Sequence, residues 1–173
     1  MSYCVCLMDV ITSHGAYLVL TYVMPLRTRL GNCQAALKVV PLGSQDALSL
    51  SHEGEFYVCM QPLWDVVVPS LLACGPDGEE EGYMLATRLV PRSRHLDPET
   101  DSHLLPQLQQ ALQAVHNLDV VHGDLRLQNI LVEEGTGGEQ RVWLIDFGHA
   151  ERNGTQKQKD SEMRELLLLL VVN

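Results

Sequence analysis

The first forty residues alternate between apolar and polar positions in short runs that predict an antiparallel meander. Three β-rich stretches, 3–10, 16–23 and 34–40, are separated by polar and glycine-containing turns. Gly31 and Asn32 mark the second of these turns. We therefore expect the chain to begin as a sheet.

The next part of the chain predicts one helix followed by two strands. After Ser51 the apolar residues recur at helical spacing, so we expect a helix that Ser51 caps and Pro62 ends. Strand-like stretches follow at 66–72 and 83–90. The acidic run 75–82 between them is typical of a solvated hairpin loop.

The pattern becomes helical after residues 91–99, which contain two prolines and predict a connector. An amphipathic helix is expected from Asp101, with Asp101 or Ser102 as its cap and Pro106 in its first turn. Its apolar stripe consists of Leu104, Leu105, Leu108, Ala111, Leu112 and Val115.

Two short strands and a last helix complete the predicted elements. The stretches 130–132 and 141–145 flank a glycine-rich turn at 135–138, as the strands of a hairpin do. A leucine-rich helix is expected from about Asp160.

Composition excludes several classes of protein. The 173 residues carry a net charge of -10, which disfavours nucleic acid and anionic lipid as partners. The apolar run 166–172 is much shorter than the roughly 20 residues of a membrane-spanning helix. Five cysteines without a Cys-x-x-Cys pair fit a reducing compartment, so we expect a cytoplasmic protein.

Polar groups suited to phosphoryl transfer cluster in residues 120–150. Asp124 is followed five residues later by Asn129, and Asp146 follows a strand and is itself followed by Phe and Gly. Amide and carboxylate oxygens are ligands that Mg²⁺ prefers, which makes Asn129 and Asp146 candidate metal ligands. Asp124 is the candidate base for an incoming hydroxyl, and Arg126 a candidate stabiliser of the transferred phosphate.

These motifs, HGDLRLQN and IDFG, resemble the catalytic and metal-binding loops of the protein-kinase-like superfamily. The resemblance implies an α+β fold of two lobes, an antiparallel-sheet N-lobe at 1–90 and an abbreviated helical C-lobe at 91–173. It also implies ATP and Mg²⁺ as cofactors. Lys38 would grip the nucleotide phosphates, paired with Glu53 on the following helix; Glu55 is the alternative.

The resemblance implies further nucleotide contacts. Gly15 would belong to the phosphate-covering loop, although that loop lacks the family's other glycines. The strand that ends near Leu89 would hold the adenine, with Ala86, Thr87 and Leu89 as binding positions. His122 is expected to brace the backbone of the metal loop rather than to act as a base.

Besides the missing glycines, two further departures from the family pattern affect these expectations. Gly123 stands where many protein kinases carry an arginine that receives an activation-loop phosphate, so regulation by that route is not expected. Only about twenty-five residues follow Asp-Phe-Gly, as in the compact kinases of the KEOPS complex and fungal kinase-like proteins. In those relatives' pattern Asp160 would steady the catalytic loop; otherwise it is an ordinary exposed carboxylate at a helix N-terminus.

The sequence thus predicts an ATP-dependent phosphotransferase that acts on Ser or Thr hydroxyls of a protein. Three alternatives remain open: a pseudokinase or truncated binding module, an incomplete gene product, and a small-molecule phosphotransferase. The last shares His-Gly-Asp with aminoglycoside and choline phosphotransferases. Because the leucines of 166–172 surround the helix, a protein partner or homodimer contact is expected there.

Overall fold

A computed structural model of the chain describes residues 6–7, 20–28, 31–76 and 82–170. They divide into two compact units, one within 1–58 and 70–89 and the other within 59–69 and 90–170. Both units combine antiparallel strands with helices, which confirms the predicted α+β class. The exact boundary between the predicted lobes stays a prediction. Gly15 and most of the acidic loop lie outside the described residues.

In its described residues, the first unit is a sheet of five antiparallel strands with one helix. The strand order is β1-β2-β3-β5-β4, so β5 lies between β3 and β4. The strands are β1 (Cys6–Leu7), β2 (Leu20–Thr28), β3 (Gly31–Pro41), β4 (Leu71–Pro76) and β5 (Gly82–Arg88).

Several boundaries in this sheet differ from the predicted ones; β2, for example, runs to Thr28, beyond the predicted end at residue 23. Gly31 and Asn32 do not form the turn but begin β3, because Gly31 pairs with Thr28 and Asn32 with Arg27. The strand predicted at 66–72 begins only at Leu71. The preceding residues instead form a tight turn in which the carbonyl of Leu63 accepts several backbone N–H groups.

The helix of this unit begins earlier than predicted. Helix α1 spans Gln45–Cys59, and Ser51 lies inside it. The hydroxyl of Ser44 accepts a hydrogen bond from the backbone N–H of Ala47 at 3.1 Å, so Ser44 is the cap. Ser44 was missed because it follows Pro41 and Gly43 in a turn, ahead of the apolar repeat used for the prediction.

The segment that follows α1 belongs to the second unit. It contains a 3₁₀ turn, Gln61–Leu63. The N–H of Leu144 donates to the carbonyl of Val67 at 2.8 Å, and Nη2 of Arg141 donates to the carbonyl of Asp65 at 3.0 Å. These contacts fix residues 59–69 to a hairpin far along the chain.

As far as the structure describes it, up to residue 170, the second unit combines three helices with two small antiparallel sheets, β6-β8-β9 and β7-β10. Its strands are β6 (Ser93–His95), β7 (Val120–Val121), β8 (Ile130–Glu134), β9 (Gln140–Leu144) and β10 (Glu151–Arg152). Its helices are α2 (Pro98–Asp101), α3 (Leu105–His116) and α4 (Gln156–Leu170). The predicted hairpin and the amphipathic helix are therefore present, and Leu108, Leu112 and Val115 are fully buried.

The predicted connector and helix cap are wrong in detail. Residues 91–99 include β6, which pairs with β8, and the start of α2. The side chain of Asp97 caps α2 through the N–H of Glu99. Asp101 is buried instead, and the guanidinium of Arg94 binds it at 2.5 and 2.7 Å, which lowers the pKa of that carboxyl despite its burial.

The leucine-rich helix α4 begins at Gln156, four residues before the predicted start. Leu166 and Leu170 are buried, whereas Leu168 is 71% exposed. The helix is thus covered on one side within this unit, and the predicted partner or homodimer contact stays a prediction. Within the described ranges, no helix has the length and apolarity to cross a bilayer.

Candidate active site

Lys38 and Glu53 form an ion pair in the first unit. Nζ of Lys38, on β3, lies 2.9 Å from Oε1 and 2.8 Å from Oε2 of Glu53, on α1. The carboxylate side chain is only 3% exposed and the lysine 23% exposed. The structure therefore places Glu53, rather than the alternative Glu55, against the strand lysine.

The predicted adenine-binding positions lie on or just after β5. Ala86 and Thr87 are buried, and their backbones pair with β3 on one side and β4 on the other. The N–H of Leu89 donates to the carbonyl of Gln34 at 3.0 Å. The adenine contacts expected of these residues stay a prediction.

In the second unit, Asn129 and Arg126 both contact Asp124. Nδ2 of Asn129 donates to the backbone carbonyl of Asp124 at 2.8 Å and to its Oδ2 at 3.0 Å. Nε of Arg126 lies 3.1 Å from the same Oδ2, at an angle that makes an ion pair but not a hydrogen bond. The candidate base is thus held by an amide and a guanidinium within its own loop.

Backbone hydrogen bonds join this loop to the metal loop. The N–H of Ile145 donates to the carbonyl of Asn129 at 3.0 Å, and the carbonyl of Ile145 accepts from Nε2 of His122, also at 3.0 Å. Asp146 comes next in the chain and has a φ of 65°. Because a non-glycine residue rarely adopts this left-handed conformation, the surrounding contacts must hold Asp146 in it.

His122 braces the metal loop, which confirms the role predicted for it. Its ring is fully buried and lies 4.7 Å from the ring of Phe147, centre to centre. Since a carbonyl only accepts, Nε2 carries the proton, and Nδ1 faces the N–H of Asp124 at 3.4 Å. Burial lowers the pKa of His122, although nearby carboxylates oppose the change. A neutral ring is the form that fits these contacts.

Sequence reasoning missed one residue of this assembly, Glu162 on α4. Its Oε1 accepts from the N–H of Gly123 at 2.6 Å, and its Oε2 lies 2.8 Å from Nε2 of His116 at the end of α3. Burial acts to raise the pKa of Glu162, but the hydrogen bonds from His116 and Gly123 outweigh it, and the net pKa is lowered. Its spacing of four residues from the buried Leu166 was the available signal.

The supporting role expected of Asp160 therefore belongs to Glu162, and Asp160 is an exposed carboxylate. It accepts a hydrogen bond from Gln156 one turn earlier on α4. Two residues along a helix point about 200° apart, so Asp160 and Glu162 cannot share one buried face. Lys159 adds a second contact between helices, since its Nζ donates to the carbonyl of His116 at 2.8 Å.

Two side chains of the second unit offer oxygen atoms that suit a magnesium ion. The side-chain amide of Asn129 uses both of its hydrogens to hold Asp124. Its side-chain oxygen, Oδ1, is therefore the atom left to bind a cation. Asp146 would add a carboxylate oxygen. Because Mg²⁺ in nucleotide sites keeps several waters and binds phosphate oxygens, two protein ligands are a sufficient set.

A comparison with known families identifies the class of protein. The family model described as the protein kinase domain matches residues 77–166, which is just over half of the chain. The match includes the catalytic loop, the metal loop and the first part of α4. The chain belongs to the protein kinase domain family.

Two curated relatives are similar to parts of the chain. An alignment over 80 residues is 43% identical to the serine/threonine-protein kinase zyg-8 of Caenorhabditis elegans and covers 41% of this chain and 10% of that relative. An alignment over 58 residues is 40% identical to nitrogen network kinase 1 of Saccharomyces cerevisiae and covers 28% of this chain and 6% of that relative. The chain spans a tenth or less of the length of these relatives.

Proposed function

We propose that the chain binds Mg²⁺ and ATP and transfers the terminal phosphoryl group to a Ser or Thr hydroxyl of a protein. One observation carries the proposal: Asn129 binds the carboxylate of Asp124 through its side chain and the backbone just before Asp146 through its carbonyl. A single residue thereby ties the candidate base to the candidate metal ligand. The kinase names of both relatives support this reading.

In this proposal each group has a defined task. Lys38, oriented by Glu53, binds the phosphates of ATP. Asn129 and Asp146 would hold Mg²⁺, which when bound would offset the negative charge of those phosphates. Asp124 accepts the proton of the attacking hydroxyl as the new bond to phosphorus forms and the bond to the leaving oxygen breaks. Arg126 shifts from Asp124 toward the transferred group as negative charge moves there.

The test is transfer of labelled phosphate from ATP to a Ser/Thr peptide mixture and to the chain itself. Asp124→Asn and Asp146→Ala should each lower the rate by about a hundredfold or more, as removal of a proton acceptor or a metal ligand does. Asp160→Asn, at an exposed carboxylate of α4 on the same unit, is the matched control and should keep the rate. Equal rates in all four proteins would refute the proposal.

A small-molecule acceptor is the second candidate, favoured by one observation. Only seven residues separate Gly148 from the start of α4, and two of them form β10. A segment this short offers little surface on which a peptide could dock. Parallel assays with choline and an aminoglycoside decide between the acceptors, because each candidate requires turnover of its own acceptor class.

The thiols are consistent with the cytoplasmic, reducing location that we propose. Cys59 and Cys74 are both free in the structure. Burial raises the pKa of the Cys74 thiol, which makes it a poor nucleophile. Fractionation of cells that express the chain would test the location.

A further inference from the structure

Gly123, between His122 and Asp124, is packed too tightly to carry a side chain. Its φ is +79°, in the left-handed region. A Cβ atom at this position would lie 2.0 Å from the carbonyl oxygen of His149 and 2.8 Å from its carbonyl carbon. Both of these atoms belong to the backbone, so the clash could not be relieved by a side-chain rotation.

Contacts on the other side of Gly123 hold it in place. Its N–H donates to the buried carboxylate of Glu162 at 2.6 Å. Gly123 of the catalytic loop is thus in contact both with the carboxylate of Glu162 on α4 and with the backbone of His149, which follows the metal loop.

The segment after the metal loop is fastened by further contacts in the same region. The N–H of Ala150 donates to the carbonyl of Phe147 at 3.1 Å. Glu151 pairs with Val121 and Arg152 with Val120, so β10 lies along the strand that leads into the catalytic loop. Each of these contacts uses backbone atoms.

We propose that Gly123 is a positioning residue: the absence of a side chain lets residues 149–152 lie on the catalytic loop and so keeps Asp146 in register with Asp124. The proposal rests on the phosphotransferase function proposed above.

The experiment compares Gly123→Ala with Gly138→Ala. Gly138 has a similar φ of +86°, but a Cβ there meets no atom within 4 Å in the described part of the chain. Both variants impose the same left-handed strain, and only Gly123→Ala adds the clash. We expect amide hydrogen exchange in residues 149–154 to rise about tenfold and kcat to fall about tenfold in Gly123→Ala, and neither to change more than about twofold in Gly138→Ala.

The two measurements test the two proposals separately: phosphate transfer tests the proposed function, and amide hydrogen exchange tests the positioning role of Gly123. If wild-type protein transfers no phosphate, the proposed function fails, while the exchange comparison still decides the role of Gly123. Unchanged exchange in Gly123→Ala, or equal rises in both variants, would overturn the positioning role.

A second variant covers the case in which Gly123→Ala does not fold. A Cβ at Gly154 would lie 2.0 Å from Cγ2 of Val121, at the far end of the same segment, and because the Val121 side chain is buried it has little room to rotate away. Gly154→Ala should loosen residues 149–154 and lower kcat without changing exchange in α3. Wild-type exchange and kcat in this variant would overturn the proposal.

Discussion

At the scale of single residues, the ion pair of Lys38 and Glu53 joins a strand lysine to a buried carboxylate on the following helix. A strand lysine usually extends into solvent, and neither the pairing nor the burial of Glu53 can be read from local spacing. The resemblance of the motifs suggested the pair, and the structure shows both carboxylate oxygens within 3 Å of Nζ.

We predict that Lys38→Met lowers the free energy of unfolding by about 1–3 kcal/mol, because the buried Glu53 carboxylate loses its ammonium partner. Glu53→Gln should also be destabilising, and the double variant should be less so than the two losses added together. Urea unfolding of the four proteins measures the coupling. Lys157→Met, at an exposed position of α4, is the control and should change stability by less than about 0.5 kcal/mol. Strict additivity would show that the pair is not coupled.

His122 gives a prediction for pH dependence. Its pKa in the folded state is below the ordinary value near 6.5. As the pH falls below about 6.5, the unfolded chain takes up a proton on His122 that the folded chain does not. The free energy of unfolding therefore declines, by at most about 1.4 kcal/mol per pH unit. Above about pH 6.5 the stabilisation from the neutral His122 is fully present.

Equilibrium unfolding between pH 5 and 7.5 measures this decline. In His122→Gln this side chain does not titrate. The free energy of unfolding should therefore depend less steeply on pH, by an amount that corresponds to uptake of up to one proton on unfolding. Parallel slopes in the two proteins would mean that another group causes the change.

At the scale of elements, α4 shows how one helix supports a loop. Its buried stripe begins with a carboxylate, Glu162, and continues with Leu166 and Leu170. The carboxylate faces two donors from different elements, the ring of His116 and the N–H of Gly123. A leucine at that position would leave both donors buried without an acceptor.

We predict that Glu162→Gln destabilises the protein by about 1–3 kcal/mol, because an amide cannot accept from both donors with the same geometry. Asp160→Asn, on the exposed side of α4, should stay within about 0.5 kcal/mol of wild type. Thermal or urea unfolding of both variants provides the measurement. The reverse order of effects would return the supporting role to Asp160.

Element types were predicted better than element ends. The alternation in 34–40 and 83–90 and the stripe of α3 reflect which residues are buried, and burial controls both pattern and structure. The start of α1 depended on a hydrogen bond of Ser44, and the late start of β4 on a turn closed by the carbonyl of Leu63. Such local bonds leave little trace in hydrophobic periodicity.

At the scale of the whole molecule, the proposed ligand should stabilise the fold. Mg²⁺ and ATP at a hundred times the dissociation constant would add about 2.7 kcal/mol to the free energy of unfolding. EDTA should remove most of this gain if Asn129 and Asp146 bind the nucleotide through the metal. In Asp146→Ala, Mg²⁺ and ATP should raise the free energy of unfolding only slightly, and EDTA should not change that small gain.

Thermal unfolding with ATP alone, with Mg²⁺ and ATP, and with both plus EDTA measures the effect. A gain that EDTA does not change would contradict metal-dependent binding. Mg²⁺ with AMP is a control, because it lacks the phosphates that Lys38 is proposed to bind.

The sequence by itself was enough to propose the chemistry of this protein, because a candidate base, an amide and a candidate metal-binding carboxylate at fixed spacings are a local property of the chain. The resemblance of its motifs to the kinase loops also implied the α+β class, and the alternation of apolar and polar residues predicted several of its strands and its amphipathic helix. Only the tertiary structure decided which carboxylate supports the catalytic loop and why Gly123 carries no side chain. Those answers depend on contacts between α4, residue 149 and the loop, and residues distant along the chain meet only when the packed fold brings them together.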